Sequence, residues 1–179
     1  MIVAYDMSPH DGDAFFFEDR KSSIFCSVCG TLLDKAFLPS GVRPRKKWDI
    51  CSTYENRVIV SERFKGWCQA RHLDGLVFRQ VNERPPYYVF EPSIVLEVDP
   101  RCARFEDKCS ACGNFESVMR AGRLVLPKVQ APIDDGIFRS DIEFASRWEK
   151  SPIIIVGLHT RELMKEEKFR LIEFEPILG

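Results

Sequence analysis

Four of the seven cysteines in this 179-residue chain fall in two copies of one five-residue pattern. The copies are Cys26-Ser27-Val28-Cys29-Gly30 and Cys109-Ser110-Ala111-Cys112-Gly113. Two thiols separated by two residues can face one point across a tight turn. The glycine that follows can take the positive φ such a turn requires. Together the two knuckles offer four thiolates, a closed tetrahedral set that suits a structural zinc ion. The expected ligands are therefore Cys26, Cys29, Cys109 and Cys112. The stretch from Cys29 to Cys109 is far longer than a compact zinc finger spans, so the tertiary fold must bring the pairs together. Three other readings of the pairs stay open. A redox dithiol uses the same spacing, but places its first thiol at a helix N-terminus, and neither pair leads into an amphipathic helix. An iron–sulfur cluster also takes four thiolates. Metal-free buried pairs are the third.

The remaining reactive residue types are scattered. Cys51, Cys68 and Cys102 lack pair spacing, and a catalytic thiol needs a partner base. His10, His72 and His159 are the only histidines, and no two stand at metal or triad spacing. The chain has no Gly-x-Ser-x-Gly elbow and no glycine-rich phosphate loop. We therefore expect no enzyme, with a redox or hydrolytic thiol enzyme as the competing class. Arg43, Arg45, Lys46 and Lys47 lie beside Trp48 in a proline- and glycine-marked loop, residues 39–48. Such a cluster can hold phosphate and stack a base; it can equally be a solvated loop with one anchoring tryptophan.

The elements that would position these groups are mostly strands. Ile2 to Tyr5 and Phe15 to Phe17 read as short strands about the turn-rich Pro9 to Gly12. Ile24 and Phe25 rise into the first knuckle. Val58 to Val60 is a buried-strand run, and Ser61 can cap a helix that carries Phe64, Trp67 and Cys68 on one face. Gly75 is placed for a left-handed exit from that helix. Leu76 to Val81 reads as the next strand. Arg84-Pro85-Pro86 punctuates the chain as a candidate boundary between halves. Tyr87 to Phe90, Ile94 to Val98, Phe115 to Val118, Leu124 to Leu126 and Ile153 to Val156 read as further strands. Asp134 to Arg139 is a turn with a mixed segment, Leu158 to Lys168 a helix, and Leu171 to Phe174 a last strand.

The two strand–helix–strand segments overlay without a gap at a displacement of 96 positions (60 to 156). Trp67 then meets Leu163, Leu73 meets Phe169, Leu76 meets Ile172 and Phe78 meets Phe174. The knuckles recur at a different displacement, 83 positions (26 to 109), so a duplication needs a gap between them. The expected fold is α+β and mostly β. It has a zinc ribbon-like four-cysteine centre and two strand–helix–strand units, consistent with an internal duplication. It reads as a single domain over 1–179, with pseudo-repeat halves 1–86 and 87–179 sharing one zinc site.

Composition bounds the function classes. Lys plus Arg number 26 against 27 Asp plus Glu, without the basic excess of a general nucleic-acid binder. No run approaches the roughly 18 apolar residues of a membrane span. Met1 to Asp6 does not read as a signal peptide. An odd cysteine count in knuckle spacing suits a reducing, cytoplasmic location. Acidic residues cluster at Asp6, Asp11, Asp13, Glu18 and Asp19, and again from Asp134 to Glu143.

Several of these stretches together resemble the bacterial double-CXXCG motif proteins, which include immunity proteins against toxins delivered between neighbouring cells. The resemblance is carried by Cys26 to Gly30, Cys109 to Gly113, Asp135 to Arg139 and the terminal unit from Ile153 to Ile177. Val58 to Val81 resembles the strand–helix–strand unit of related immunity domains, in which Val-Ser-Glu-Arg leads into the helix. The resemblance implies a cytoplasmic immunity protein that binds and neutralises one cognate protein toxin. The acidic clusters suit a toxin with a basic cleft. The basic cluster beside Trp48 has no counterpart in that resemblance, and it supports the alternative of a zinc-ribbon nucleic-acid-binding module.

Overall fold

The computed structural model describes residues 1–17, 23–129 and 131–179. Eleven strands and two helices are found among them. The first half of the chain supplies β1 (Ile2–Pro9), β2 (Ile50–Ser52), β3 (Val58–Ser61), α1 (Glu62–Ala70) and β4 (Leu76–Glu83). The second supplies β5 (Pro86–Pro92), β6 (Val95–Leu96), β7 (Ala103–Lys108), β8 (Phe115–Arg120), β9 (Ile137–Ser146), β10 (Ser151–Val156), α2 (Leu158–Glu166) and β11 (Ile172–Leu178). One sheet runs β11-β1-β10-β9-β8-β7 with β6 added on β9, and the other runs β2-β3-β5-β4. The mostly-β expectation with two helices therefore holds.

The two sheets have the same internal plan, but each borrows a strand. In β2-β3-β5-β4, strands β3 and β4 are joined through α1, and β5 lies between them antiparallel to both. In β9-β10-β1-β11, strands β10 and β11 are joined through α2, and β1 lies between them antiparallel to both. The orders match once β1 and β5 change places: the inserted strand of each unit comes from the other half of the chain. The sequence reading had each half contribute its own strand–helix–strand unit. It did not foresee that each unit is closed by the other half.

The registers agree residue by residue. Val60 faces Tyr88, as Val156 faces Tyr5; Ile59 faces Val89, as Ile155 faces Asp6. Leu76 faces Pro92, as Ile172 faces Pro9. Strand β5 thus follows β1 at a displacement of 83 positions (5 to 88), the displacement of the two knuckles. The hydrogen bonds that leave these strands also match. The His10 amide donates to the Leu171 carbonyl (2.9 Å), and the Ser93 amide to the Gly75 carbonyl (2.7 Å).

Strand alternation divides the core into layers. Val60, Tyr88 and Phe90 point with Met7, Ile154 and Val156 into a central cluster. There Phe64, Trp67 and Cys68 of α1 meet Met164 of α2 and Phe169 beyond it. The Phe64 ring lies edge-on to Phe90 and Phe169 at 5.4 and 5.2 Å. The opposite faces have their own covers. Ile59, Val81 and Val89 pack under Phe16, Phe17, Phe25 and Leu32, while Ile155, Ile177 and Ala4 pack under Leu124, Leu126 and Val98.

Several local expectations need correction. Phe15 to Phe17 is not a strand: the Phe16 amide donates to the Glu55 carboxylate (2.7 Å) rather than to a ladder. Ser61 caps α1 as read, accepting from the Phe64 amide (3.3 Å). However, the left-handed residue at the helix exit is His72 (φ 51°), while Gly75 (φ 69°) makes the turn into β4. Leu124 and Leu126 are fully buried, but their stretch joins the sheet only through a Val125–Leu178 bridge. Arg84-Pro85 forms the turn of the β4–β5 hairpin, so the chain passes between halves through a paired ladder. Glu18 and Asp19 of the first acidic cluster lie outside the described residues.

Candidate metal centre

Each knuckle is the tip of a short hairpin. Phe25 bridges Leu32 about the first, and Lys108 pairs with Phe115 about the second. The Gly30 amide donates to the Cys26 carbonyl (2.8 Å), and the Gly113 amide to the Cys109 carbonyl (2.9 Å). The Cys26 amide reaches the Thr31 carbonyl and the Cys109 amide the Asn114 carbonyl, both at 2.8 Å. Gly30 and Gly113 take φ of 71° and 73°, which only a residue without Cβ adopts freely. The two turns are structural copies, as their sequences predict.

The fold brings the tips together. Cys26 Sγ lies 3.9 Å from Cys109 Sγ, and Cys29 Sγ 3.6 Å from Cys112 Sγ. All four ligand atoms lie within 4.8 Å of one another. Sulfurs held at about 2.3 Å from one ion at tetrahedral angles would be about 3.8 Å apart. A disulfide would need about 2.05 Å, and all seven cysteines are free thiols. The four thiols expected from spacing therefore form one cluster of the size a tetrahedral metal centre requires. Equivalent cysteines meet across it, Cys26 with Cys109 and Cys29 with Cys112.

The surroundings favour thiolates at some positions. Burial opposes ionisation of Cys29, but the Thr31 hydroxyl and amide outweigh it and its pKa falls. The Asn114 amide, helped by the Asn114 side chain, lowers the Cys112 pKa to about 6. Cys109 shifts the other way. The Cys112 and Ala111 amides favour its thiolate, but burial and the adjoining Cys29 and Cys112 sulfurs outweigh them. The amide and hydroxyl donors are the outer-shell contacts that orient metal thiolates. Lys150 is 5 % exposed and donates to the Phe115 carbonyl. Burial depresses its pKa, while Glu143, Cys29 and Cys112 act the other way. The Trp148 ring covers Gly30, 3.3 Å from where a Cβ would stand. Sequence reasoning missed Lys150 and Trp148, because neither carries a spacing signal; they arrive on the turn between β9 and β10.

The other candidates are not brought together. Cys51 and Cys68 are buried thiols whose pKa rises to about 12, chiefly by desolvation. His10 contacts Glu173 and His159 contacts Asp135, both at the surface. Within the basic loop, Arg43 donates to Asn82 and Lys46 pairs with Asp13. The Lys46 ammonium also stands 4.9 Å over the Trp48 ring, on a face a base would need. Asp6 is buried and bonded to Arg120, so it is not part of an acidic surface. Asp134, Asp135 and Asp141 are exposed. Among the described residues, no helix is long and apolar enough to cross a membrane. Comparison with protein-family models, curated proteins and solved structures finds no match to this chain.

Proposed function

We propose that this is a bacterial immunity protein of the double-CXXCG kind. It binds one cognate protein toxin in the cytoplasm and neutralises it without catalysis, on a scaffold fixed by one structural zinc. The observation that carries the reading is the meeting of the two matched knuckles in one four-thiol cluster. Zinc is the ion proposed because a tetrahedral set of four thiolates suits it, and the closed set leaves no open position for water or substrate. Its role is then structural: it staples hairpins from the two halves, as a binder needs a preorganised surface. We further read the chain as a duplicated strand–knuckle–strand–strand–helix–strand unit whose copies have exchanged their first strands. The shared displacement of 83 positions for β1 and the knuckle, and of 96 for the later segment, supports this reading. The exposed acids from Asp134 to Asp141 suit a basic toxin surface and would speed encounter.

The test is co-expression with the product of the adjacent gene. Protection of cells and a stable complex are expected; a toxic neighbour with neither complex nor protection would end the immunity reading. The zinc-ribbon nucleic-acid reading keeps one favouring observation. Phe15 and Tyr54 are exposed and lie 4.7 Å apart, in a cleft that Arg43 and Arg45 also line. That reading requires salt-sensitive binding of RNA or DNA, lost when Arg43, Arg45, Lys46 and Lys47 are neutralised.

A further inference from the structure

Two cavities lie where the sheets meet, and they occupy equivalent places. One, of about 400 Å³, is lined by Val89 to Pro92 of β5 together with Asn56, Val58, Pro152 and Ile154. The other, of about 300 Å³, is lined by Asp6 to Pro9 of β1 with the same four residues. Strands β5 and β1 are counterparts, as are Val58 and Ile154. The cavities differ in how their charges are matched. In the smaller one Arg120 is ion-paired, reaching both Asp6 (2.9 Å) and the neighbouring Glu175 (3.0 Å), although its other terminal nitrogen is buried without a partner. In the larger one Glu91 is held by Arg79 (2.8 Å) and Glu143 by Lys35 (2.5 Å). Two guanidinium groups remain.

Arg57 and Arg139 both line the larger cavity, and neither forms an ion pair with any described residue. Arg57 donates one long bond to the Trp148 carbonyl (3.4 Å), and its Nε is buried without a partner. Burial pulls its pKa down. Glu143, Glu91 and Glu55 offset part of that burial without pairing with Arg57, so its planar fork stays open to a carboxylate in two-point contact. Val58, Val77, Val89, Phe90 and Ile154 give the wall an apolar stretch, beside the polar Asn56, Ser93 and Ser151 and the ion-paired Glu91 and Glu143. Two unpaired guanidinium groups lining one cavity, beside an apolar stretch of its wall, are the makings of a ligand site.

We propose that the larger cavity binds an organic monocarboxylate on an apolar body, with Arg57 and Arg139 holding the carboxylate and the β5 side chains holding the body. The ligand can be a free small acid or the terminal carboxylate of a chain that ends in an apolar residue. The proposal does not depend on the immunity reading.

The test is an amide-resolved NMR titration of the full chain. The probes are sodium benzoate, benzyl alcohol as its neutral analogue, and an acetylated tripeptide ending in leucine, with its carboxylate free or amidated. Saturable shifts at Val77, Val89 and Ser93 are expected with benzoate but not with benzyl alcohol, and Met7 and Phe144 should be unaffected. Arg139→Gln should weaken binding at least tenfold while leaving the rest of the spectrum in place. Arg57→Lys keeps the charge, loses the fork, and should also weaken it. Tighter binding of the free-carboxylate peptide than of benzoate would point to a chain terminus, and the reverse to a small acid. The proposal is overturned if neither carboxylate probe gives saturable shifts, if benzyl alcohol binds as well as benzoate, or if folded Arg139→Gln binds unchanged.

Discussion

Lys150 places a buried positive charge beside four thiols, and a zinc ion bound by four thiolates would carry two net negative charges. Removing that charge should loosen the metal without touching a ligand. Lys150→Met should therefore lose metal to a chelator about tenfold more readily than the parent, the effect usual for an outer-shell contact. Equal retention would make Lys150 a packing residue only. Thiol reactivity separates the cysteines further. With metal removed, Cys112 should be alkylated first near neutral pH, because its pKa of about 6 leaves it mostly thiolate and it is the least buried of the four. Cys51 and Cys68, pushed up to about 12, should label only on unfolding. Rapid labelling of Cys51 or Cys68 in the folded protein would contradict this and favour a reactive-thiol enzyme.

Asp6 gives a signed pH dependence. Burial outweighs the attraction of Arg120 and raises its pKa from 3.8 to about 6. The folded state then holds this proton more tightly than the unfolded chain. The resulting stability is complete below about pH 3.8 and is lost as pH rises through about 6, a change on the order of 3 kcal/mol. Urea unfolding of the parent and of Asp6→Asn should show a stability difference that moves by this amount across the window. Parallel profiles would mean that Asp6 is not perturbed.

At the scale of elements, the two helices start in different ways at equivalent positions. Ser61 caps α1 with its side chain, whereas Gly157 stands at the same point before α2. A Cβ on Gly157 would lie 2.5 Å from the Asp134 carbonyl oxygen. That carbonyl serves as the cap, accepting from the His159 and Thr160 amides at 2.9 and 3.2 Å. Ser61→Ala should cost about 1 kcal/mol through the lost cap. Gly157→Ala should cost about 1–3 kcal/mol through overpacking, although alanine is the better helix former. Thermal unfolding would check both; a stabilising Gly157→Ala would refute the carbonyl cap. The helices and their flanking strands were legible because apolar spacing and caps are local signals. The Phe15–Phe17 segment was misread because an aromatic run looks like a strand when its amide partner, Glu55, lies 39 residues away.

At the scale of the whole molecule, each half donates a strand to the sheet of the other, and strand exchange leaves no trace in hydrophobic periodicity. One signal was present. Tyr5 and Pro9 recur as Tyr88 and Pro92, at the displacement of the cysteine pairs. The residues between them differ, Asp6 against Val89 and Met7 against Phe90, because the two sheets bury different neighbours. The grouping of the four thiols was legible from their spacing, while its position between two sheets of matching strand order was not. The exchange predicts that a protease site inserted between Arg84 and Pro85, once cut, leaves the two pieces associated on size exclusion. Separation of the pieces under native conditions would contradict the exchanged β1 and β5.

The central claim is that one metal ion joins the two knuckles. Metal analysis of the purified protein, with X-ray absorption at the metal edge, tests it directly. The account predicts about one zinc per chain in a shell of four sulfurs at about 2.3 Å, lost together with folding when Cys109 and Cys112 are both replaced by serine. Purified protein without metal, a shell containing nitrogen or oxygen ligands, or a double variant as stable as the parent would contradict it.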